Sequence, residues 1–190
     1  MKLVFATTNP GKLAELRHLV IGVQVLCGQE AAPGLEVDED RDTFEGNAEK
    51  KAREFLAATG LPSLADDSGL CVDALDGRPG VYSARYGPDP AARIEKLLRE
   101  MYGVPEAKRT ARFRCALCLA MPGGGIELAQ GACEGLILTA PRGTGGFGYD
   151  PIFLVPALGK TLAELSVEEK SAISHRGRAM KLLAPKLRSL

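Results

Sequence analysis

Lys2-Leu3-Val4-Phe5-Ala6, followed at once by Thr7-Thr8-Asn9-Pro10-Gly11-Lys12, decides the fold class. The first five residues read as a buried strand. The polar turn then hands over to a helix with apolar positions Leu13, Leu16, Leu19 and Val20. Thr8 or Asn9 is placed to cap that helix, and Pro10 suits its first turn. A strand passing through a short turn into a helix is a building unit of α/β proteins. Outward from it the alternation continues. A second strand is predicted around residues 23–26, then a loop over residues 31–41 carrying Glu36, Asp38, Glu39 and Asp40. Asp42-Thr43-Phe44-Glu45 resembles a capping box with Asp42 as the cap. That helix runs to about Thr59, where Gly60 and Pro62 end it. Residues 64–65 and 70–72 are apolar flanks around the polar Asp66-Asp67-Ser68, and residues 79–86 read as a loop or short turn. Asp89-Pro90 opens a helix with Ile94, Leu97, Leu98 and Met101 on one face. Residues 110–121 and 126–138 form a hairpin across Pro122-Gly123-Gly124-Gly125. A glycine-rich loop, a strand over residues 152–155 and a helical tail complete the chain. In the tail, Ser166-x-x-Glu169 is a capping box, and Ala179, Leu182, Leu183 and Leu187 keep helical spacing. The reading is one α/β domain over residues 1–190 with a mixed sheet.

Composition excludes several classes. The 24 Lys and Arg balance the 24 Asp and Glu, which argues against an electrostatic binder of nucleic acid or of an anionic membrane. No stretch approaches the ~18 apolar residues of a spanning helix. The apolar opening is too short for a signal-peptide core, so the expected location is cytoplasmic. Twenty-two glycines and 12 prolines exceed the average share of roughly 12% and give weight to turns and loops. Five cysteines, an odd number, read as reduced thiols. Cys115-x-x-Cys118 falls on a predicted strand, where residues three apart face opposite ways, so a zinc or disulfide role is not expected. Gly159-Lys160-Thr161 mimics the end of a Walker motif without its upstream glycine, and Thr161 reads as a helix cap.

Five constellations bear on chemistry. The turn Thr7-Thr8-Asn9-Pro10-Gly11-Lys12 either caps its helix or offers N–H groups, helix dipole and the Lys12 charge to an anion. In the helix from Phe44, with Phe44 as zero at 100° per residue, Ala48, Ala52 and Phe55 fall at about +40°, +80° and +20°. Lys51 falls at about −20°, on the same apolar face, with Asn47 beside it at about −60°. Either the Lys51 stem packs and its head snorkels outward, or its ammonium enters a cleft where an anionic ligand supplies the charge partner. Asp66-Asp67-Ser68-Gly69 brings two adjacent carboxylates to a strand end, suited to magnesium, to general-base work or to a solvated turn. In an extended chain the two point opposite ways, so one alone enters a given cleft. Arg142-Gly143-Thr144-Gly145-Gly146-Phe147-Gly148-Tyr149-Asp150 has four glycines in six residues for close approach, two aromatic faces for a base and an acceptor. Lys170, Ser174, His175 and Arg176 form a dense set of hydrogen-bond donors. Together these parts suggest attack of water on a magnesium nucleotide.

At these motifs the chain resembles the inosine triphosphate pyrophosphatases almost end to end. The matching stretches are Ala6-Thr7-Thr8-Asn9-Pro10-Gly11-Lys12, Thr43-Phe44-x-x-Asn47-Ala48, Ala65-Asp66-Asp67-Ser68-Gly69-Leu70, Pro79-Gly80-Val81-Tyr82-Ser83-Ala84-Arg85, residues 143–151 and Glu169-Lys170-Ser171-Ala172-Ile173-Ser174-His175-Arg176. The resemblance implies hydrolysis of dITP, ITP and XTP to the monophosphate and pyrophosphate, with Mg2+. It also implies a homodimer and an elongated mixed sheet with two lobes around a central cleft. By position it makes Asp67 the general base or metal ligand, with Glu39, among Asp38, Glu39 and Asp40, completing the metal site. It gives phosphate binding to Thr7, Thr8, Asn9, Pro10, Gly11, Lys12 and Lys51. Ser68 contacts the substrate, and Phe147, Gly148, Tyr149, Asp150, Lys170, His175 and Arg176 line the nucleotide site. A donor such as His175 or Arg176 facing the C6 carbonyl would accept hypoxanthine or xanthine and meet the adenine amine donor to donor. Guanine shares that carbonyl, so its 2-amino group must be excluded separately. Other readings are a related pyrophosphatase preferring pyrimidine or modified nucleotides, and a nucleotide sensor without turnover.

Overall fold

A computed structural model describes residues 2–20 and 22–188. In chain order the elements are β1 (Lys2–Phe5), α1 (Pro10–Leu19), β2 (Gln24–Cys27), α2 (Gly28–Ala31), α3 (Phe44–Thr59), β3 (Ser63–Val72), α4 (Pro90–Glu100), β4 (Thr110–Ala120), β5 (Ile126–Ile137), β6 (Phe153–Val155), β7 (Lys160–Thr161), α5 (Val167–Ile173) and α6 (His175–Arg188). The strands make one sheet in the order β2-β1-β3-β4-β5-β6-β7. β1 is parallel to β2 and β3, whereas β6 is antiparallel to β5 and β7. The fold is therefore α/β, with a mixed sheet flanked by helices, as the alternation of strand and helix signals required.

The chain divides into two compact units. The first comprises residues 1–67, 115–131 and 176–190, the second residues 68–114 and 132–175. Each has its own apolar core. In the first, Leu3 and Phe5 of β1, Leu16 of α1, Leu64 of β3 and Leu117 and Leu119 of β4 pack with Ala179, Leu183 and Leu187 of α6. In the second, Leu70 and Val72 of β3 pack with Leu97 of α4, Met101, Phe113, Ile137, Phe153 and Leu162.

Local chemistry explains where the elements begin and end. Asn9 caps α1, its Oδ1 accepting from the N–H groups of Gly11 and Lys12 at 2.9 and 3.2 Å. The cap of α3 is Thr43, whose Oγ1 accepts from Gly46 N–H at 3.1 Å, and not Asp42. A hydroxyl one residue later reaches the same donors, so the Asp42–Glu45 spacing misplaced the start by one position. Gly60 closes α3 at φ 67°, a left-handed conformation that glycine adopts without Cβ strain. The polar Asp66-Asp67-Ser68 does not interrupt the sheet, because β3 runs unbroken through it. Of the loop or short turn expected over residues 79–86, the structure realises the turn, a 3₁₀ turn over residues 80–85. Thr161 caps the turn Leu162–Glu164, and the Glu164 carboxylate accepts its N–H at 2.7 Å. Leu182, counted above with the apolar stripe of the tail, is 66% exposed. Among the described residues no helix is long and apolar enough to cross a membrane.

Candidate active site

Strand alternation sends the two neighbouring aspartates of β3 to different partners. Asp66, 1% exposed, faces α1 and α6. Lys12 Nζ lies 2.5 Å from its Oδ1, and the Arg176 guanidinium donates from Nε at 2.8 Å and from Nη2 at 3.4 Å. Arg176 also binds the Glu15 carboxylate, and the Cys115 thiol donates to Asp66 at 3.1 Å. Burial alone would raise the Asp66 pKa, but Arg176 and Lys12 hold it well below the usual carboxylate range. Burial likewise pulls Lys12 down, and Asp66 more than offsets it, so the ammonium stays charged. Burial and Asp66 push the Cys115 thiol well up, and burial pushes Cys118, near Glu49 and Arg53 of α3, to about 12. The two thiols thus have different surroundings, as a strand spacing of three dictates.

Asp67 faces α3. Asn47 Nδ2 donates to its Oδ2 at 3.0 Å, and Lys51 Nζ lies 3.9 Å from its Oδ1. Burial, together with the Glu39 charge, raises the Asp67 pKa more than Lys51, Lys12 and Asn47 lower it. Lys51 is buried on the inward stripe of α3, as its helical position implies. Its charge partner, however, is not left to a ligand: the ammonium bonds the Glu39 carboxylate and donates to Asp66 C=O at 2.7 Å. Of the acidic-loop residues, Glu39 is the one whose side chain reaches Lys51. Asp38 offers its C=O to Lys50 at 2.8 Å, and the exposed Asp40 pairs with Lys50 and Arg41. The structure therefore gathers Lys12, Lys51, Asp66, Asp67, Glu39 and Arg176 within the first unit.

The turn before α1 belongs to the same unit, with Thr8, Asn9 and Pro10 exposed. Its first-turn N–H groups at Gly11 and Lys12 already bond Asn9, and Thr7 Oγ1 accepts from Asn9 N–H at 3.1 Å. The capping alternative is thus realised, and an anion there would compete with the Asn9 side chain.

The second unit carries the other predicted residues. Lys170 Nζ, from α5, lies 2.5 Å from Asp150 Oδ2 and 4.7 Å from the centre of the Phe147 ring. Asp150 Oδ2 also accepts from Phe147 N–H at 2.8 Å, tying off the glycine-rich loop. Gly146 has φ 69°, and a Cβ there would run into the Asp150 carboxylate, so this position requires glycine. Gly148 is half-buried, and Tyr149 turns inward, its OH donating to Ser83 C=O at 3.0 Å. His175 is buried and stacks on Phe113 with centroids 4.9 Å apart. Ser68, next to Asp67 in β3, is half-buried.

Sequence reasoning passed over Glu15, and it set Asn47 beside Lys51 without giving it a role. Glu15 stands three residues after Lys12 in α1, a spacing that shares a face and was the available signal. Asn47 is an amide with no exposure on a helix interior, a residue that burial tolerates only with its hydrogen bonds made. Among the described residues no three His, Cys, Asp or Glu side chains gather as a ready-made metal cage.

The model of the Ham1 family matches residues 3–186. A dITP/XTP pyrophosphatase of Geobacter sulfurreducens is 54% identical over 187 residues, spanning 96% of this chain and 94% of its own. That of Desulforamulus reducens is 53% identical over 186 residues, 95% of this chain and 92% of its own. Among solved structures, the Staphylococcus aureus Ham1 protein superposes with a TM-score of 0.89 at 39% identity, covering 100% of this chain and 99% of that one.

Proposed function

We propose, since the chain belongs to the Ham1 family, that it hydrolyses the non-standard purine triphosphates dITP, ITP and XTP to the monophosphate and pyrophosphate. The observation that carries this reading is 54% identity, over nearly the whole chain, to a relative named for that activity. We take residues 1–190 as one pyrophosphatase domain, acting as a cytoplasmic homodimer on free nucleotides. The family resemblance supports the dimer, and the short apolar opening supports the location.

Magnesium is the cofactor this chemistry implies, and the donor set fits it. Mg2+ is usually held by one or two carboxylates together with substrate phosphates. Glu39 and Asp67 both approach the Lys51 ammonium, so positive charge already sits beside the pair. Those two carboxylates would hold the ion, which supplies charge neutralisation on the phosphates. Asp67, its Oδ2 bonded to the Asn47 amide, would take the proton of the water that attacks the α-phosphorus. Lys51 and Lys12 set positive charge beside the departing pyrophosphate. The turn from Thr7 to Lys12 and Ser68 bind the phosphate end. Phe147, Gly148, Tyr149 and Asp150, with Lys170, receive the nucleoside. Arg176 is engaged by Asp66 and Glu15, which favours His175 as the donor to the C6 carbonyl of hypoxanthine or xanthine.

Hydrolysis of dITP in 18O-labelled water with Mg2+ tests the reaction. Label in dIMP with unlabelled pyrophosphate is expected. Orthophosphate as the first product, or label in pyrophosphate, overturns it.

A further inference from the structure

We propose that Asn47 is a positioning residue, whose amide locks the acidic loop carrying Glu39 and the Asp67 carboxylate into one arrangement. The amide has no solvent exposure, and its three described bonds run in two directions. Toward the loop, Oδ1 accepts Arg41 N–H at 2.9 Å and Nδ2 donates to Arg41 C=O at 3.2 Å. Toward β3, Nδ2 donates to Asp67 Oδ2 at 3.0 Å. The network also fixes the amide's orientation. Turning it over would set Nδ2 against the Arg41 N–H and Oδ1 against two acceptors.

The start of α3 is shaped to receive the loop. A Cβ on Gly46 would stand 3.0 Å from Arg41 Cβ and 3.2 Å from Arg41 Cγ, so the loop comes this close because the position is glycine. Lys50 holds the Asp38 C=O at 2.8 Å, and Lys51 binds the Glu39 carboxylate. Glu39 is therefore fastened to one helix from both sides, through Asp38 and through Arg41. Lys51 also lies near Asp67, but a cation re-partners when phosphates and a metal arrive. Asn47 is neutral. It neither competes for the ion nor is drawn to the phosphates, so the spacing of the two carboxylates is held by a group outside the exchange of charges. Outer partners of this kind orient the ligands of a metal site.

The inference rests on the roles proposed above for Asp67 and Glu39, and the test separates the two. Asn47→Ala removes all three bonds, whereas Asn47→Asp keeps an acceptor for Arg41 N–H and loses the donors to Arg41 C=O and to Asp67. In metal-free, nucleotide-free protein, exchange of the Arg41 amide should accelerate about tenfold or more in Asn47→Ala and by less in Asn47→Asp, which retains its acceptor. Both variants should lose about 10- to 100-fold in kcat or in apparent Mg2+ affinity, with a smaller change in KM for dITP. If Asn47→Ala does not fold, Asn47→Asp decides. Unchanged kcat and Mg2+ dependence in either folded variant, or unchanged Arg41 exchange in Asn47→Ala, overturns the proposal. A wild-type protein without dITP hydrolysis overturns the proposed reaction instead, and the exchange arm then judges Asn47 by itself.

Discussion

Asp66 keeps its charge out of solvent because Arg176 and Lys12 close on it, while Asp67, one residue on, has a neutral amide and a more distant ammonium. Their substitutions should therefore separate. Asp66→Asn leaves the part-buried Lys12 without its carboxylate and the buried Arg176 with Glu15 alone, and breaking such a buried pair costs about 3–5 kcal/mol. Asp67→Asn should change stability by no more than about 1 kcal/mol and abolish turnover. Urea unfolding beside dITP kinetics checks both, and equal activity in Asp67→Asn and wild type would remove Asp67 from the chemistry. The pH dependence has a definite sign. The folded pKa of Asp66 lies below its ordinary value of 3.8, so its contribution is present above that pH and lost as pH falls through the folded value. Asp67 is shifted the other way, and its contribution is lost as pH rises from 3.8 through its raised pKa. Thermal melts between about pH 2 and pH 5 should flatten in Asp66→Asn relative to wild type. A parallel curve would place the acid-labile group elsewhere. The divergence of the pair was legible from strand alternation alone. That Arg176, 110 positions away, would be the one to close on Asp66 was not, because a tertiary ion pair leaves no local pattern.

At the scale of the element, α3 shows what periodicity conveys and what it omits. Its apolar stripe and its Gly60 stop followed from spacing and turn chemistry. Its cap did not, since Asp42 and Thr43 both suit the position. Thr43→Ala should cost about 1 kcal/mol and Asp42→Ala less than about 0.5 kcal/mol in chemical denaturation. The reverse ranking would return the cap to Asp42. Lys51 was correctly placed inward, but the carboxylate it would meet belongs to a loop whose path no periodicity describes. Lys51→Met therefore should not leave stability unchanged, as a lysine awaiting its ligand would. It removes one donor each from the Glu39 carboxylate and Asp66 C=O, so Tm should fall modestly, and kcat/KM for dITP should drop about ten- to a hundredfold. A Tm at or above the wild-type value would show that these bonds contribute nothing to the folded state.

Over the whole molecule, the strand and helix signals and the hairpin sufficed for an α/β mixed sheet, and the turn at residues 80–85 and the cap at Thr161 registered as well, while the two-residue β7 was too short to do so. The division into two units, each with a core, has a simple consequence in sequence. The chain passes from one to the other four times, and two of these passages fall at Asp67-Ser68 and His175-Arg176. Two predicted motifs thus contribute residues to both units, which is why Arg176 and His175, adjacent in the chain, have such different partners. A zero formal net charge leaves substrate choice to local groups and not to the field of the whole protein. The most direct test of the account is kcat/KM for dITP, XTP, dGTP, dTTP and ATP, measured side by side with Mg2+ and scored as pyrophosphate released. The account predicts that dITP and XTP exceed the other three by about a hundredfold or more. Comparable values for dITP, dGTP and ATP, or a preference for dTTP, would contradict it.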